Sequence, residues 1–217
     1  MSLISNIRTV LTMGRGMKKG LSEEMAGKDP FKLFGEWFSD AKRAGLFLHE
    51  AITLATCTKD GVPSARMMLL KGFDERGFVF YSNYESRKAR ELDENPKAAI
   101  ISHWPILERQ IRIEGDVEKL TSEESTAYFH SRPRGSQLGA WASAQSSPLE
   151  SPEMLKQRFK EIEAKYPQGP VPLPPFWGGY RLKPQRIEFW QGRLNRLHDR
   201  VRYDNSGDGW EMVRLYP

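Results

Sequence analysis

Apolar positions along the chain switch period several times, and each switch predicts a change of element. Residues 1–28 are polar and rich in Gly, Lys and Met without a sustained period, which predicts a mobile N-terminal arm ahead of one domain over 29–217. Phe31, Phe34, Phe38 and Ala41 then recur at helical spacing. Asp29 can cap that helix, Pro30 suits its first position and Gly45 its end. From Ala51 the period shortens toward two, giving strands over 51–57, 63–71 and 78–82 with turns at Asp60-Gly61 and 74–77. Pro63 belongs at a strand start or a sheet edge. A short helix over 86–95 is stopped by Asn95-Pro96, and strands follow over 97–104 and 108–120, the second with Ile111, Ile113 and Val117 inward. Thr121 with Glu124 forms a capping box for a helix over 122–131, and Ser151-Pro152-Glu153 starts another that runs to about Tyr166. The stretch 167–175 is expected to be a linker or surface strap outside the core. Separate strands are predicted over 177–182, 186–190 and 201–203, with a last one after the loop 205–209. Short strands joined by hairpins, with helices inserted, predict a mainly β fold, a mostly antiparallel barrel.

Composition narrows the class. The chain has 217 residues, 39% hydrophobic and 28% charged, enough for one substantial core and unlike a disordered tail. No apolar run is long enough to span a bilayer, and the N-terminus lacks a signal-peptide pattern. A single cysteine, Cys57, cannot form an internal disulfide, so a cytoplasmic setting is expected. There is no P-loop, dinucleotide fingerprint, H-E-x-x-H or nucleophile elbow, and the histidines are dispersed, so no metal site is assigned. A small-molecule enzyme without these devices borrows its reactivity from a bound cofactor.

The net charge of +5 is modest, but the cations gather beside aromatics and hydroxyls. The clusters are Arg66 with Lys71; Tyr81-Ser82 with Arg87-Lys88; Arg109-Gln110; Tyr128, Arg132, Arg134 and Ser136; and Arg193 through Arg202. Converging Arg, Lys, Ser and Tyr groups suit phosphate monoesters. Basic residues interleaved with aromatics also suit single-stranded nucleic acid, and an ordinary solvent face needs no ligand. Two details favour small phosphorylated ligands. Arg66 and Lys71 fall on opposite faces of an ideal strand, so they need not share an anion. Arg196, His198 and Arg200 alternate at period two, which predicts three cations on one strand face with Asp199 pointing away. Tyr128 and Arg132, four apart at a helix end, are expected on one face.

With these residues in place, the sequence resembles the pyridoxamine 5′-phosphate oxidase family. The stretches that carry the resemblance are RMMLLK (66–71), FYSNYESRKA (80–89), ERQIRIEG (108–115), YFHSRPRGSQLGAWASAQSS (128–147), PPFWGGYRL (174–182), IEFWQGRLNRLHDR (187–200) and the terminal RLYP. The resemblance implies an FMN-binding split β-barrel and a homodimer with FMN at its interface. It implies that Arg66, Met67, Met68, Leu69, Leu70 and Lys71 lie along the flavin, with Arg66 near its phosphate. Tyr81, Ser82, Arg87 and Lys88 would complete the phosphate and ribityl contacts, and Gln110, Gln145, Ser146, Trp190 and Arg200 would meet the ring system. Lys71, Tyr128, Arg132 and Ser136 would take a substrate phosphate, while Arg196, Leu197 and His198 would contact the substrate, Arg196 and His198 in the catalytic roles. The implied activity is oxidation of pyridoxamine and pyridoxine 5′-phosphates to pyridoxal 5′-phosphate, with O2 reduced to hydrogen peroxide and neither nucleic acid nor membrane as partner. The family's arm usually pairs an Arg-rich stretch with a tyrosine. The stretch 12–20 lacks that tyrosine, so the arm receives no site residue. Two alternatives stay open: a flavin- or pyridoxal-phosphate-binding split barrel without oxidase turnover, and a basic nucleic-acid-binding module.

Overall fold

The computed structural model describes residues 20–217. Its strands are β1 (Ala51–Cys57), β2 (Pro63–Leu69), β3 (Gly72–Asp74), β4 (Gly77–Asn83), β5 (Lys97–Trp104), β6 (Arg109–Lys119), β7 (Trp177–Gln191), β8 (Asp199–Asn205) and β9 (Trp210–Leu215). Every pairing is antiparallel, in the order β2-β1-β5-β6-β7-β4-β3, with β8 on β7 and β9 on β8. Only Leu70 and Lys71 separate the two ends of that path. Leu70 N donates to Glu50 O (2.9 Å) and Lys71 N to Val79 O (2.8 Å), so the chain changes partner there and the sheet curls on itself. The result is a split β-barrel with inserted helices. Pro63 starts the edge strand β2, as its missing N–H requires.

The late strands depart from expectation. Residues 177–182 and 186–190 belong to one strand of 15 residues. Its first half pairs with β4 and its second with β8, while β6 runs beside both. Pro184 reads as a break, yet it lies opposite Gly115 beside a bulge in β7 itself: Glu114 pairs with Arg186 and Gly115 with Pro184, which leaves Gln185 as the extra residue, so the missing N–H is accommodated. A Cβ on Gly115 would sit 2.0 Å from Lys183 O, and only glycine fits.

The helices are α1 (Glu23–Ala26), α2 (Pro30–Arg43), α3 (Arg87–Glu94), α4 (Ser122–Ser131), α5 (Arg134–Ala142) and α6 (Pro152–Lys165). In α2, Asp29 Oδ1 accepts from Phe31 N (2.9 Å) and Lys32 N (3.2 Å), Pro30 fills the first turn, and Phe31, Leu33, Phe34, Trp37 and Ala41 are buried. Phe38 is only partly buried against that core. At about 1.5–3 kcal/mol for each large apolar side chain, this face holds the helix on the barrel. A second, smaller core joins Phe129, Leu138, Val171 and Trp177. Val171 is fully buried, so the stretch 167–175 contributes to the core and is no mere surface strap.

Of the expected arm, residues 1–19 lie outside the described residues. Residues 20–28 pack on the barrel: Leu21 is buried, its N–H donates to Asp199 Oδ2 (3.0 Å), and Tyr203 Oη donates to Ala26 O (2.8 Å).

Candidate active site

A cleft of about 590 Å³ opens where the end of β2, the middle of β4 and the α4–α5 turn meet. Met68, Leu69, Lys71, Tyr81, Ser82, Tyr128, Arg132, Ser136 and Gln145 line it, so residues expected to serve the cofactor share one space with those expected to serve a substrate. Asn83 and Trp177 line it as well, and sequence reasoning had not singled them out. Trp177 stood inside the PPFWGGYRL stretch, which was the available signal.

Below the cleft lies a cation cradle. The N-cap of α3, Ser86, makes no side-chain capping bond; its hydroxyl instead accepts from Lys88 Nζ (3.1 Å). The same ammonium donates to Ser82 Oγ (3.0 Å) and Gln145 Oε1 (3.0 Å). Burial, helped by the nearby Arg66 charge and opposed by Glu91, brings the Lys88 pKa down to about 8. Arg66 Nη1 donates to Thr56 Oγ1 (2.5 Å) and Leu54 O (3.2 Å), and Nη2 to Ser64 Oγ (2.5 Å) and Glu91 Oε2 (3.2 Å). Arg87 Nε donates to Glu91 Oε1 (2.8 Å). Two guanidiniums, an ammonium and hydroxyls in one place suit the oxygens of a phosphate monoester. Thr56, Ser64 and Glu91 were not anticipated, because three separate elements bring them together.

The other wall is aromatic. The Tyr81 and Tyr128 rings stack at 3.8 Å and 17°, and Trp177 lies parallel to Tyr81 at 5.5 Å. Gly179 makes this possible, since a Cβ there would come within 2.8 Å of the Tyr81 ring. Arg132 is the C-cap of α4 in an extended conformation, so the shared helix face expected for Tyr128 and Arg132 does not exist. The turn instead lays its guanidinium on Trp177, 4.7 Å from the ring centroid. Arg132 Nη1 is buried and has no hydrogen-bond partner among the described residues, and burial lowers the pKa of the group. An unpaired buried guanidinium N–H costs free energy that a hydrogen-bond acceptor in the cleft would relieve. Ser136 follows in the first turn of α5, a helix that sequence reasoning did not anticipate.

Other expected residues lie elsewhere. Leu70 is buried in the core, so its side chain turns away from the cleft, whereas Met67 is 66% exposed on the edge strand. Ser146 is exposed at a positive φ of 71°. Gln110, paired across the sheet with Trp190, is not part of the cleft lining, and neither are Arg196, Leu197, His198 and Arg200. The expected alternation of Arg196, His198 and Arg200 is overturned: Leu194–Arg196 forms a 3₁₀ turn with φ of 56° at Asn195 and 60° at Arg196, and β8 begins only at Asp199. Arg200 is neutralised by Glu188 (2.9 Å) and also donates to Tyr216 O (3.0 Å). Asp199 accepts from Arg214 (3.1 Å). His198 lies against Trp190, with 4.5 Å between ring centroids, and its Nδ1 accepts from Arg193 N (3.1 Å). Leu194 and Leu197 stand 71% and 68% exposed beside Arg196. Among the described residues no group of His, Cys, Asp and Glu could hold a metal, and no helix is long and apolar enough to cross a membrane.

Known proteins share this arrangement of sequence and fold. Residues 38–166 match the family profile described as pyridoxamine 5′-phosphate oxidase, and residues 177–217 the pyridoxine 5′-phosphate oxidase C-terminal dimerisation region. The pyridoxine/pyridoxamine 5′-phosphate oxidase of Rubrobacter xylanophilus is 59% identical over 200 residues, 92% of each chain. That of Colwellia psychrerythraea is 50% identical over 217 residues, 100% of each chain. Among solved structures, PhzG from Burkholderia lata 383, in complex with tetrahydrophenazine-1-carboxylic acid, superposes with a TM-score of 0.86 at 32% identity, covering 92% of this chain and 98% of that one. On both sequence and fold, the chain belongs to the pyridoxine/pyridoxamine 5′-phosphate oxidase family.

Proposed function

We propose that the chain is an FMN-dependent oxidase that converts pyridoxamine 5′-phosphate and pyridoxine 5′-phosphate to pyridoxal 5′-phosphate, with O2 as electron acceptor and hydrogen peroxide as product. The observation that carries this reading is the buried Nη1 of Arg132, without a hydrogen-bond partner among the described residues, in an aromatic-walled cleft that adjoins a second cation cradle. Two anion-seeking groups side by side suit two phosphorylated aromatic ligands. Arg66, Ser82, Arg87 and Lys88 would hold the cofactor phosphate, and the 66–71 stretch with Gln145 would border the flavin. Lys71, Tyr128, Arg132 and Ser136 would hold the substrate phosphate. Bound FMN supplies a hydride acceptor, so the chain itself needs no nucleophile. Its residues would bind and align: contacts to the substrate phosphate would hold the reacting carbon near the bound cofactor, where the gain is positional.

Arg196 and His198 would orient the reacting substituent from a second copy of the chain. Their exposed turn, flanked by bare Leu194 and Leu197, lies within the region matched to a dimerisation profile and outside this chain's own cleft lining. The reading therefore includes a homodimer whose sites are shared.

The test is oxygen uptake by the FMN-loaded protein. Both phosphorylated substrates are expected to turn over, while pyridoxamine without its phosphate should show a KM raised about a hundredfold, the scale of two charge-assisted hydrogen bonds. Arg132→Ala should erase most of that discrimination. No uptake with any of the three compounds would defeat the assignment.

A further inference from the structure

The cation cradle contains a carboxylate that anion recognition alone does not require. Glu91 is 4% exposed and lies one helical turn after Arg87 on α3. Its Oε2 accepts from Thr56 Oγ1 (2.5 Å), Ser64 Oγ (2.6 Å) and Arg66 Nη2 (3.2 Å), and its Oε1 from Arg87 Nε (2.8 Å). Burial pushes its pKa up, yet hydrogen bonds from Ser64, Thr56, Arg87 and Arg66 outweigh that and hold it at about 2, so it is ionised at any ordinary pH. A fixed negative charge beside an anion site repels the ligand, so its presence there needs a compensating effect.

Two effects are available. The first is geometric. Arg87 is a long side chain, 58% exposed, and the Glu91 carboxylate holds its guanidinium before any ligand arrives, which removes an ordering cost from binding. Arg66 is held by Glu91 Oε2, the one oxygen that also accepts from Ser64 and Thr56. The second is charge balance. Arg66, Arg87 and Lys88 together carry three positive charges; with Glu91 the cradle is left at +2, the counterpart of a phosphate monoester dianion. Glu91 also favours the protonated form of Lys88 against burial and the Arg66 charge.

We infer that Glu91 is a positioning residue for the phosphate of the flavin cofactor: by hydrogen bonding to Arg66 and Arg87 it sets both guanidiniums in place and trims the charge of the cradle to that of the ligand. The inference rests on the FMN reading above, and it separates from a purely architectural role. A carboxylate that only joined α3 to β1 and β2 would matter equally for any flavin. One that serves the phosphate matters for FMN and not for riboflavin.

The experiment is a fluorescence titration of the full-length, flavin-stripped chain with FMN and with riboflavin, in wild type and in Glu91→Gln. Glu91→Gln is expected to weaken FMN by about tenfold or more while leaving riboflavin within about twofold, on the scale of a lost charge-assisted contact. Unchanged FMN affinity, or equal loss of both flavins, overturns the inference. If circular dichroism shows Glu91→Gln unfolded, Ser64→Ala decides instead. It removes one donor to Glu91 Oε2 and one acceptor of Arg66 Nη2 while keeping every charge. A selective, severalfold loss of FMN supports the inference; an equal loss or none overturns it. A wild-type chain that binds both flavins equally also overturns it, whereas one that binds neither defeats the cofactor reading itself.

Discussion

Lys88 shows how one residue can report on the site. Its amine titrates near 8 against an ordinary 10.5, because burial opposes the charge and only neutral oxygens meet it directly. Between those two values the unfolded chain binds more protons than the ligand-free fold, so stability of the flavin-free protein rises with pH across that window. Ligand binding has the opposite sign. A phosphate favours the ammonium, so affinity for FMN is expected to be full below about pH 8 and to decline above it as the amine loses its proton. Titrating FMN fluorescence from about pH 6.5 to about 9.5 checks this, with Lys88→Met expected to flatten the profile and lower the affinity throughout. A wild-type curve with no decline above pH 8 would contradict the placement of Lys88 at the phosphate. Glu91 also shows why part of the cradle was illegible in the sequence: an acidic residue on a short, highly charged helix reads as solvent-facing, and only the meeting of α3 with β1 and β2 buries it.

At the scale of elements, the clearest local signals predicted best. The reciprocal bonds between Thr121 and Glu124 lie within four residues, and α4 occupies the expected span. Asp29-Pro30 likewise marks the start of α2. Helix α5 escaped notice because it begins after Pro133 with no side-chain cap and contains Gly135 and Gly139, both poor helix formers; packing of Leu138 and Ala142 holds it. The run 196–200 failed for a different reason. Period two holds only inside a strand, and here two left-handed residues turn the chain before β8 begins. The long strand β7 was hidden by Pro184, whose compatibility depends on a bulge at the adjacent Gln185 and on Gly115 in the facing strand. That dependence is testable. Gly115→Ala places a methyl against the Lys183 carbonyl and is expected to cost about 2–4 kcal/mol, lowering Tm by several degrees. A melting curve that matches wild type would show the bulge to be dispensable.

At the scale of the whole molecule, the chain presents a cleft on one side and the Arg196–His198 turn outside it. If two copies exchange these parts, inactive variants should complement one another. Arg132→Ala and Arg196→Ala chains, each nearly inactive alone, are expected on mixing and reassociation to regain about one quarter of wild-type activity, since half the dimers then carry one intact site of two. Mixtures no more active than their components would place both residues in the same subunit's site.

Strand β7 carries a further consequence for biosynthesis. It is the shared neighbour of β4, β6 and β8, yet it is translated after the first two and after α6. A nascent chain that has emerged only as far as residue 176 therefore exposes β4 and β6 with the edges that face β7 unsatisfied, and those open edges can recruit other chains. Maturation of the barrel waits for the last fifth or so of the polypeptide, so chain release and a chaperone's holding time bear directly on yield. A premature stop before Trp177 should leave aggregate rather than a smaller working protein.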